Sequence, residues 1–209
     1  MSSDSIISSI KDSDLVAKRR EQIMKGALTL FKQKGFHRTT TREIAQQCGF
    51  SIGTLYEYIR TKEDVLFLVF EAINDQVYKH LETTIDLENP SVNNLMTVIE
   101  SYYRLMDKMQ EEVIILYQEL KSLQLDVREI VLQKEKEMVA MLKEAIIGSV
   151  PHVLKDEEAE LLANNIIVQG HMWGFRRWIL QKHYTIEQYI NLQTSFILNT
   201  LKLNDAEQI

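Results

Sequence analysis

The 209 residues, 45% hydrophobic with only 7 Gly and 2 Pro and with Leu, Ile, Glu, Lys and Gln frequent, are enough for a packed core and predict an all-α fold rather than a sheet. A single cysteine, Cys48, excludes an internal disulfide, and no stretch reaches the ~18 uninterrupted apolar residues of a membrane span, so a cytoplasmic protein without a membrane partner is expected. The net charge of −6 hides an asymmetry: residues 1–62 carry 11 Lys+Arg against 6 Asp+Glu, or +5, and the remainder 13 against 24, or −11. A basic module of this size suits phosphates, and the acidic remainder must face away from DNA.

Residues 1–13 are polar and read as a disordered arm. From Leu15 to Lys34, Ile23, Ala27, Leu30 and Phe31 recur at helical spacing and Gly35 closes the helix. Lys18, Arg19 and Arg20 suit either a DNA backbone or a solvated first turn. Next comes T-T-R-E-I-A-Q-Q-C-G-F-S-I-G-T-L-Y-E-Y-I-R-T-K, residues 40–62. Thr40 and Glu43 form a capping box, Ala45 is small enough for a close helix crossing, Gly49 supplies the positive φ of a turn, and Ser51 caps a second short helix. That is a helix-turn-helix. Ile52, Leu55 and Ile59 are expected on its inner stripe, leaving Gly53, Thr54, Tyr56 and Glu57 toward a partner. Gly53 weakens a helix, which points to close approach of the backbone by something outside, a DNA phosphate being one candidate.

Thr61 with Asp64 opens a connecting helix, 61–86, with the stripe Leu66, Val69, Phe70, Ile73, Val77 and Leu81. After D-L-E-N-P-S, five further helices are predicted at about 92–109, 111–125, 127–147, 157–182 and 186–203, about nine in all. The organisation expected is an arm at 1–13, a DNA-binding head at 14–60, the connecting helix at 61–86 and a ligand-binding and dimerisation domain at 87–209. In the 157–182 segment Leu162, Ile166, Gln169, Trp173 and Leu180 share one side, while Leu161, Val168, Met172, Phe175 and Ile179 occupy a neighbouring one. One core covers only about a 100° stripe of a helix, so the second side, with Phe196 of the last helix, predicts a homodimer interface built as a four-helix bundle.

The N-terminal 70 residues resemble the TetR family of bacterial transcriptional regulators. The resemblance rests on I-M-K-G-A-L-T-L-F-K-Q-K-G-F, then T-T-T-R-E-I-A-Q-Q-C-G-F-S-I-G-T-L-Y-E-Y-I and K-E-D-V-L, in that order. It implies a dimer whose recognition helices enter successive major grooves, and a C-terminal pocket whose small-molecule ligand alters the separation of the DNA-binding heads. By the same resemblance, phosphate contacts fall to Thr40, Thr41, Tyr56 and Lys62, and groove contacts to Arg42, Ser51, Ile52, Gly53 and Thr54. Two positions depart from the family pattern. Ile52 stands where many relatives carry Lys or Arg, and Glu57 where many carry His or Tyr; the first suits a thymine methyl, the second repels phosphate unless paired or turned away.

For an effector, H-M-W-G-F-R-R-W offers His171, Trp173, Arg176 and Arg177. Guanidinium beside indole suits an acidic group on an apolar molecule such as a fatty acid or acyl-CoA; packing tryptophans with arginines paired to surface acids fit the same residues. Tyr102, Tyr103 and Tyr117 suit the same cavity or an ordinary core. The expected function is a dimeric regulator, a repressor on a palindromic double-stranded operator, released by a small apolar or acyl-type effector. The alternative is a dimeric DNA-binding or helical adaptor protein without a sensing pocket. His37, His80, His152, His171 and His183 lack the i, i+4 spacing of a helical metal pair, and neither a Gly-rich phosphate loop nor a nucleophile elbow occurs, so no catalytic, metal or cofactor residues are assigned.

Overall fold

Helix follows helix through the residues described, 13–201, in this computed structural model. They are α1 (Ser13–Lys34), α2 (Thr41–Gln47), α3 (Ile52–Tyr56), α4 (Lys62–Thr84), α5 (Val92–Lys108), α6 (Gln110–Glu119), α7 (Leu125–Ser149), α8 (Asp156–Phe175), α9 (Arg177–Leu180) and α10 (Ile186–Thr200), with a 3-10 turn at Leu120–Ser122. No strand occurs among the described residues, and none of their helices is long and apolar enough to cross a membrane. The expected arm at 1–13 lies outside the described residues except for Ser13, where α1 begins.

The helices form two compact units. The first runs from the first described residue to Gln76 and includes Ile115–Gln133; the second comprises Val77–Ile114 and Lys134 onward. The division falls inside α4, α6 and α7, so each of these contributes turns to both.

In the first unit α1 packs on α2, and α2 on α3. Ile23, Ala27 and Phe31 of α1, Ile44 and Ala45 of α2, and Leu55 and Ile59 are all buried, as their spacing predicts. A β-carbon at Gly26 would stand 2.6 Å from Cys48 Sγ, so α1 and the end of α2 meet where α1 has no side chain. Cys48 is thereby a packing residue, its thiol pKa raised by burial. Past its first turn α4 is buried all round: Val65 through Glu71 leave no outward face, where the periodicity predicts only a stripe. Asn74, also buried, donates from Nδ2 to the Val131 carbonyl at 3.3 Å, and Glu119 holds His37 Nε2 at 3.2 Å.

Two expectations are corrected here. Ile52 does not join Leu55 and Ile59 in the core: it is 38% exposed, because α3 ends at Tyr56 and only Leu55 of its five residues faces inward. Arg20 does not point to solvent either; it is buried and donates from Nε to the Tyr58 carbonyl at 3.3 Å, tying α1 to the segment after α3.

In the second unit α5 is the central element, packed on both α8 and α10. Leu95, Val98, Ile99, Tyr102, Tyr103 and Met106 are its buried face. The close approach to α8 depends on Gly170, where a β-carbon would lie 2.4 Å from Tyr102 Cε1 and 2.9 Å from Met106 Cγ. The segment expected as one helix, 157–182, is broken at Arg176, whose φ of −104° and ψ of 15° end α8 and begin α9.

Candidate nucleic-acid interface and the polar core of the second unit

Local chemistry builds the helix-turn-helix surface. Thr40, with extended backbone, accepts from the Glu43 amide, and Glu43 Oε2 in return accepts from the Thr40 amide at 2.9 Å, so two unpaired donors at the start of α2 are satisfied reciprocally. The Lys34 ammonium bonds the same carboxylate and, with those Thr40 bonds, holds it down from its usual 4.5 to about 2. Gly49, at φ +71°, turns the chain out of α2. Ser51 then caps α3 by accepting from the Thr54 amide at 3.0 Å, and the Ser51 and Thr54 hydroxyls share a hydrogen bond of 2.9 Å. Thr40→Ala removes one half of the box and is expected to lower the unfolding free energy by about 1 kcal/mol, measured by urea denaturation.

These caps bring the predicted DNA residues to one surface. The Thr41 hydroxyl and the Tyr56 phenol, 15 positions apart, hydrogen-bond at 3.1 Å, so the start of α2 and the end of α3 present their polar groups together. Tyr56 is 49% exposed, and Ile52 and Gly53 are exposed beside it. A β-carbon at Gly53 would meet only Ser51 Oγ at 3.6 Å, so nothing inside the protein demands glycine there. Arg42 is exposed in the first turn of α2 and, among the described residues, has no hydrogen-bond or ion-pair partner. Lys62 differs from the rest. Its ammonium is 4.2 Å from the Phe36 ring centre and donates to the carbonyls of Phe36 at 3.1 Å and His37 at 3.4 Å, so it also braces the loop between α1 and α2. Arg38, missed in the sequence, is exposed beside the threonines, with Nε donating to the Lys34 carbonyl at 2.8 Å. Its signal was a cation directly preceding a threonine run.

The effector candidates fall into two groups. Tyr102, Tyr103, His171 and Trp173 are buried in the second unit, where Tyr102 donates to the Ile167 carbonyl at 3.0 Å and Tyr103 to Gln169 Oε1 at 2.9 Å. Tyr189 donates to the Gln169 carbonyl at 2.6 Å, and its ring lies 4.9 Å from that of Trp173. The Trp173 indole donates to Asp107 Oδ1 at 2.6 Å. Burial pushes Tyr103 well above the usual phenol range and Tyr189 up to about 12, so both remain hydrogen-bond donors. Gln193 is buried nearby on α10 with Oε1 facing no donor among the described residues. Gln169, Tyr189 and Gln193 belong to this polar core without having been singled out; the available signal was the amide of Gln169 inside an otherwise apolar stripe.

The arginines are placed elsewhere. Arg176 is exposed with its guanidinium 5.4 Å from the Trp178 ring centre, and Arg177 pairs with Glu111. The arginine–indole contact is therefore with Trp178 rather than Trp173. Tyr117 belongs to the first unit and is half exposed. The proposed interface residues divide by exposure: Leu161, Val168, Ile179 and Phe196 are exposed, and Met172 and Phe175 half-buried.

Burial also lowers the His171 pKa from 6.5 to about 4, keeping the ring neutral at physiological pH. Below 6.5 the unfolded chain takes the proton first, so this contribution is full above that pH and is lost as the pH falls through about 4. The melting temperature of the parent is expected to fall more between pH 7 and pH 5 than that of His171→Gln.

The sequence profile of "Bacterial regulatory proteins, tetR family" matches residues 23–69, which span most of α1, all of α2 and α3 and the start of α4. Over 190 residues the chain is 26% identical to the HTH-type transcriptional regulator HbdR of Aromatoleum sp. (strain CIB), covering 90% of this chain and 83% of that protein. It is 28% identical over 108 residues to the fatty acid metabolism regulator protein of Bacillus subtilis (strain 168), covering 52% of this chain and 56% of that protein. The fold is shared with AibR, solved in complex with isovaleryl coenzyme A and operator DNA, at a TM-score of 0.69 and 24% identity, over 85% of this chain and 97% of that one. The relatives are named as transcription regulators, and a capped helix-turn-helix carries the match to the tetR-family model at residues 23–69, on an all-α chain similar to HbdR along nine-tenths of its length.

Proposed function

We propose that the protein is a dimeric repressor that binds a palindromic operator and is released by an acyl-type effector, with residues 14–60 as the DNA-binding head, 61–86 as the connecting helix and 87–209 as the effector-binding and dimerising body. The observation that carries the DNA reading is the exposed surface joining α2 and α3. There a hydrogen-bonded Thr41–Tyr56 pair, an Arg42 without a partner among the described residues and a glycine whose added β-carbon would meet only Ser51 Oγ lie on the basic portion of an acidic chain. Thr40, Thr41, Tyr56 and Lys62 hold phosphates; Arg42, Ser51, Ile52, Gly53 and Thr54 face the groove, with Ile52 against a thymine methyl. Each Lys or Arg on a phosphate releases condensed counterions, so binding is expected to weaken steeply with salt.

For the effector, support comes from the buried phenols and indole of the second unit, and from the names of the Bacillus subtilis regulator and of the AibR complex. A neutral, hydrogen-bonding core lined by Tyr102, Tyr103, His171 and Trp173 suits the acyl portion. Arg176 and Arg177, in a segment without an acid from Leu161 to Ile186, suit an anionic head. Effector binding then favours the state of the dimer that does not fit the operator, and a tenfold loss of DNA affinity needs only about 1.4 kcal/mol of such preference.

DNA selected from a random pool by the purified chain, followed by fluorescence anisotropy with and without long-chain acyl-CoA, tests both parts. A palindromic consensus bound at least tenfold more weakly with an acyl-CoA is expected; a pool showing no enrichment sinks the DNA reading, and indifference to acyl-CoA sinks the effector reading. In the same assay Arg42→Ala is expected to leave the melting temperature unchanged and to weaken binding to the consensus by about 1–3 kcal/mol while relaxing the preference at the base pair it faces.

A further inference from the structure

A buried amide oxygen in the second unit has nothing to bond. Gln193 on α10 is 8% exposed, and its Oε1 meets no donor among the described residues, where a buried acceptor ordinarily finds one. Its orientation follows from its neighbour. The Tyr189 phenol gives its proton to the Gln169 carbonyl at 2.6 Å, so toward Gln193 it can only accept, and the amide nitrogen of Gln193 is the end that faces it. That leaves Oε1 directed elsewhere in the core. The ring donors of the same core are already taken: the Tyr103 phenol by Gln169 Oε1 at 2.9 Å, the Tyr102 phenol by the Ile167 carbonyl at 3.0 Å, and the Trp173 indole by Asp107 Oδ1 at 2.6 Å. One turn before Gln193, the Tyr189 ring stands against both Trp173 and Tyr103, with centres 4.9 and 6.0 Å away. Gln193 is thus a single ring removed from the residues proposed to hold the acyl portion.

We propose that Gln193 Oε1 receives a hydroxyl of the effector's acyl chain, so that the second unit selects a hydroxylated acyl thioester over its unsubstituted and oxo counterparts. Resting on the acyl-effector reading above, the proposal adds which acyl group is read and by which atom. What this oxygen lacks is a donor, and the ligand chemistry follows from that. A hydroxyl donates; a methylene leaves the acceptor unmet, and a keto oxygen sets lone pairs against lone pairs. An ammonium would donate too, but taking its charge out of water into a core of neutral phenols, indole and amides is costly. A site that hydrogen-bonds a substrate hydroxyl rejects the analogue lacking it far more strongly than an apolar pocket tells one methylene from another. Gln193 is therefore a specificity-determining residue, and the aromatic rings beside it serve the rest of the chain.

Isothermal titration of the full-length chain, without DNA, compares lauroyl coenzyme A with its β-hydroxy, ω-hydroxy and β-oxo derivatives. One of the hydroxylated thioesters is expected to bind about tenfold or more tightly than lauroyl coenzyme A, and the β-oxo form no better than it. Gln193→Met keeps the length of the side chain without its oxygen. It is expected to bring the hydroxylated thioester down to the level of lauroyl coenzyme A and to leave the affinity for the latter unchanged. Equal affinities of the parent chain for the hydroxylated and plain thioesters overturn the proposal and leave the acyl-effector reading standing. A preference that survives in Gln193→Met also overturns it, because the hydroxyl is then read by another group. Failure of every thioester to bind removes the acyl-effector reading, and this proposal with it. Should the variant fold poorly, the comparison on the parent chain decides by itself.

Discussion

Gly170→Ala is expected to destabilise the second unit by about 2 kcal/mol, although alanine is the better helix former by roughly 1 kcal/mol. The added methyl would sit 2.4 Å from Tyr102 Cε1 and 2.9 Å from Met106 Cγ, distances at which something must move. Tyr102 has nowhere to go: it is 1% exposed and its phenol is bonded to the Ile167 carbonyl on the same helix as Gly170. The strain is relieved only by separating α8 from α5, which loosens the Tyr103–Gln169 bond as well. A fall in melting temperature of roughly 4–8 °C is expected by calorimetry. The compensating double change Gly170→Ala with Tyr102→Phe is not expected to rescue it, because the clash is with the ring and not with the hydroxyl. An unchanged melting temperature for Gly170→Ala would show that the two helices are free to part.

Gly53→Ala is expected to do the opposite. The added methyl would meet only Ser51 Oγ, at an ordinary contact distance of 3.6 Å, so it costs nothing in folding and stability holds or rises by a few tenths of a kcal/mol. Operator affinity, however, is expected to fall at least tenfold, equivalent to about 1.4 kcal/mol, because the methyl would project from the surface proposed to lie against DNA. Thermal melting and anisotropy on one preparation give both readings. Full affinity in Gly53→Ala would mean that the backbone of α3 does not approach the duplex at this residue. The two glycines thus separate the causes of a small side chain: one is required by packing within the chain, and the other is proposed to answer to a partner outside it.

The caps and turns of the head were legible in the sequence because their partners lie within four residues. Thr40 with Glu43, Ser51 with Thr54, Thr61 with Asp64, and the left-handed Gly35 and Gly49 are fixed by local hydrogen bonding and backbone sterics, whatever the rest of the chain does. Helical periodicity likewise determined the all-α class and the buried faces of α1 and α8, since a 3.6-residue repeat needs no knowledge of the partner helix. Tertiary structure decided the rest. That Arg20 turns inward to Tyr58, 38 positions away, and that Trp173 finds Asp107 while Arg176 finds Trp178, depends on which carbonyls, carboxylates and rings chain packing brings within reach. Ile52 shows the same limit from the other side: its spacing matched the inner stripe, but a helix of five residues has too few turns to bury both ends, and only the packing of α2 on α3 settles which one is left to solvent.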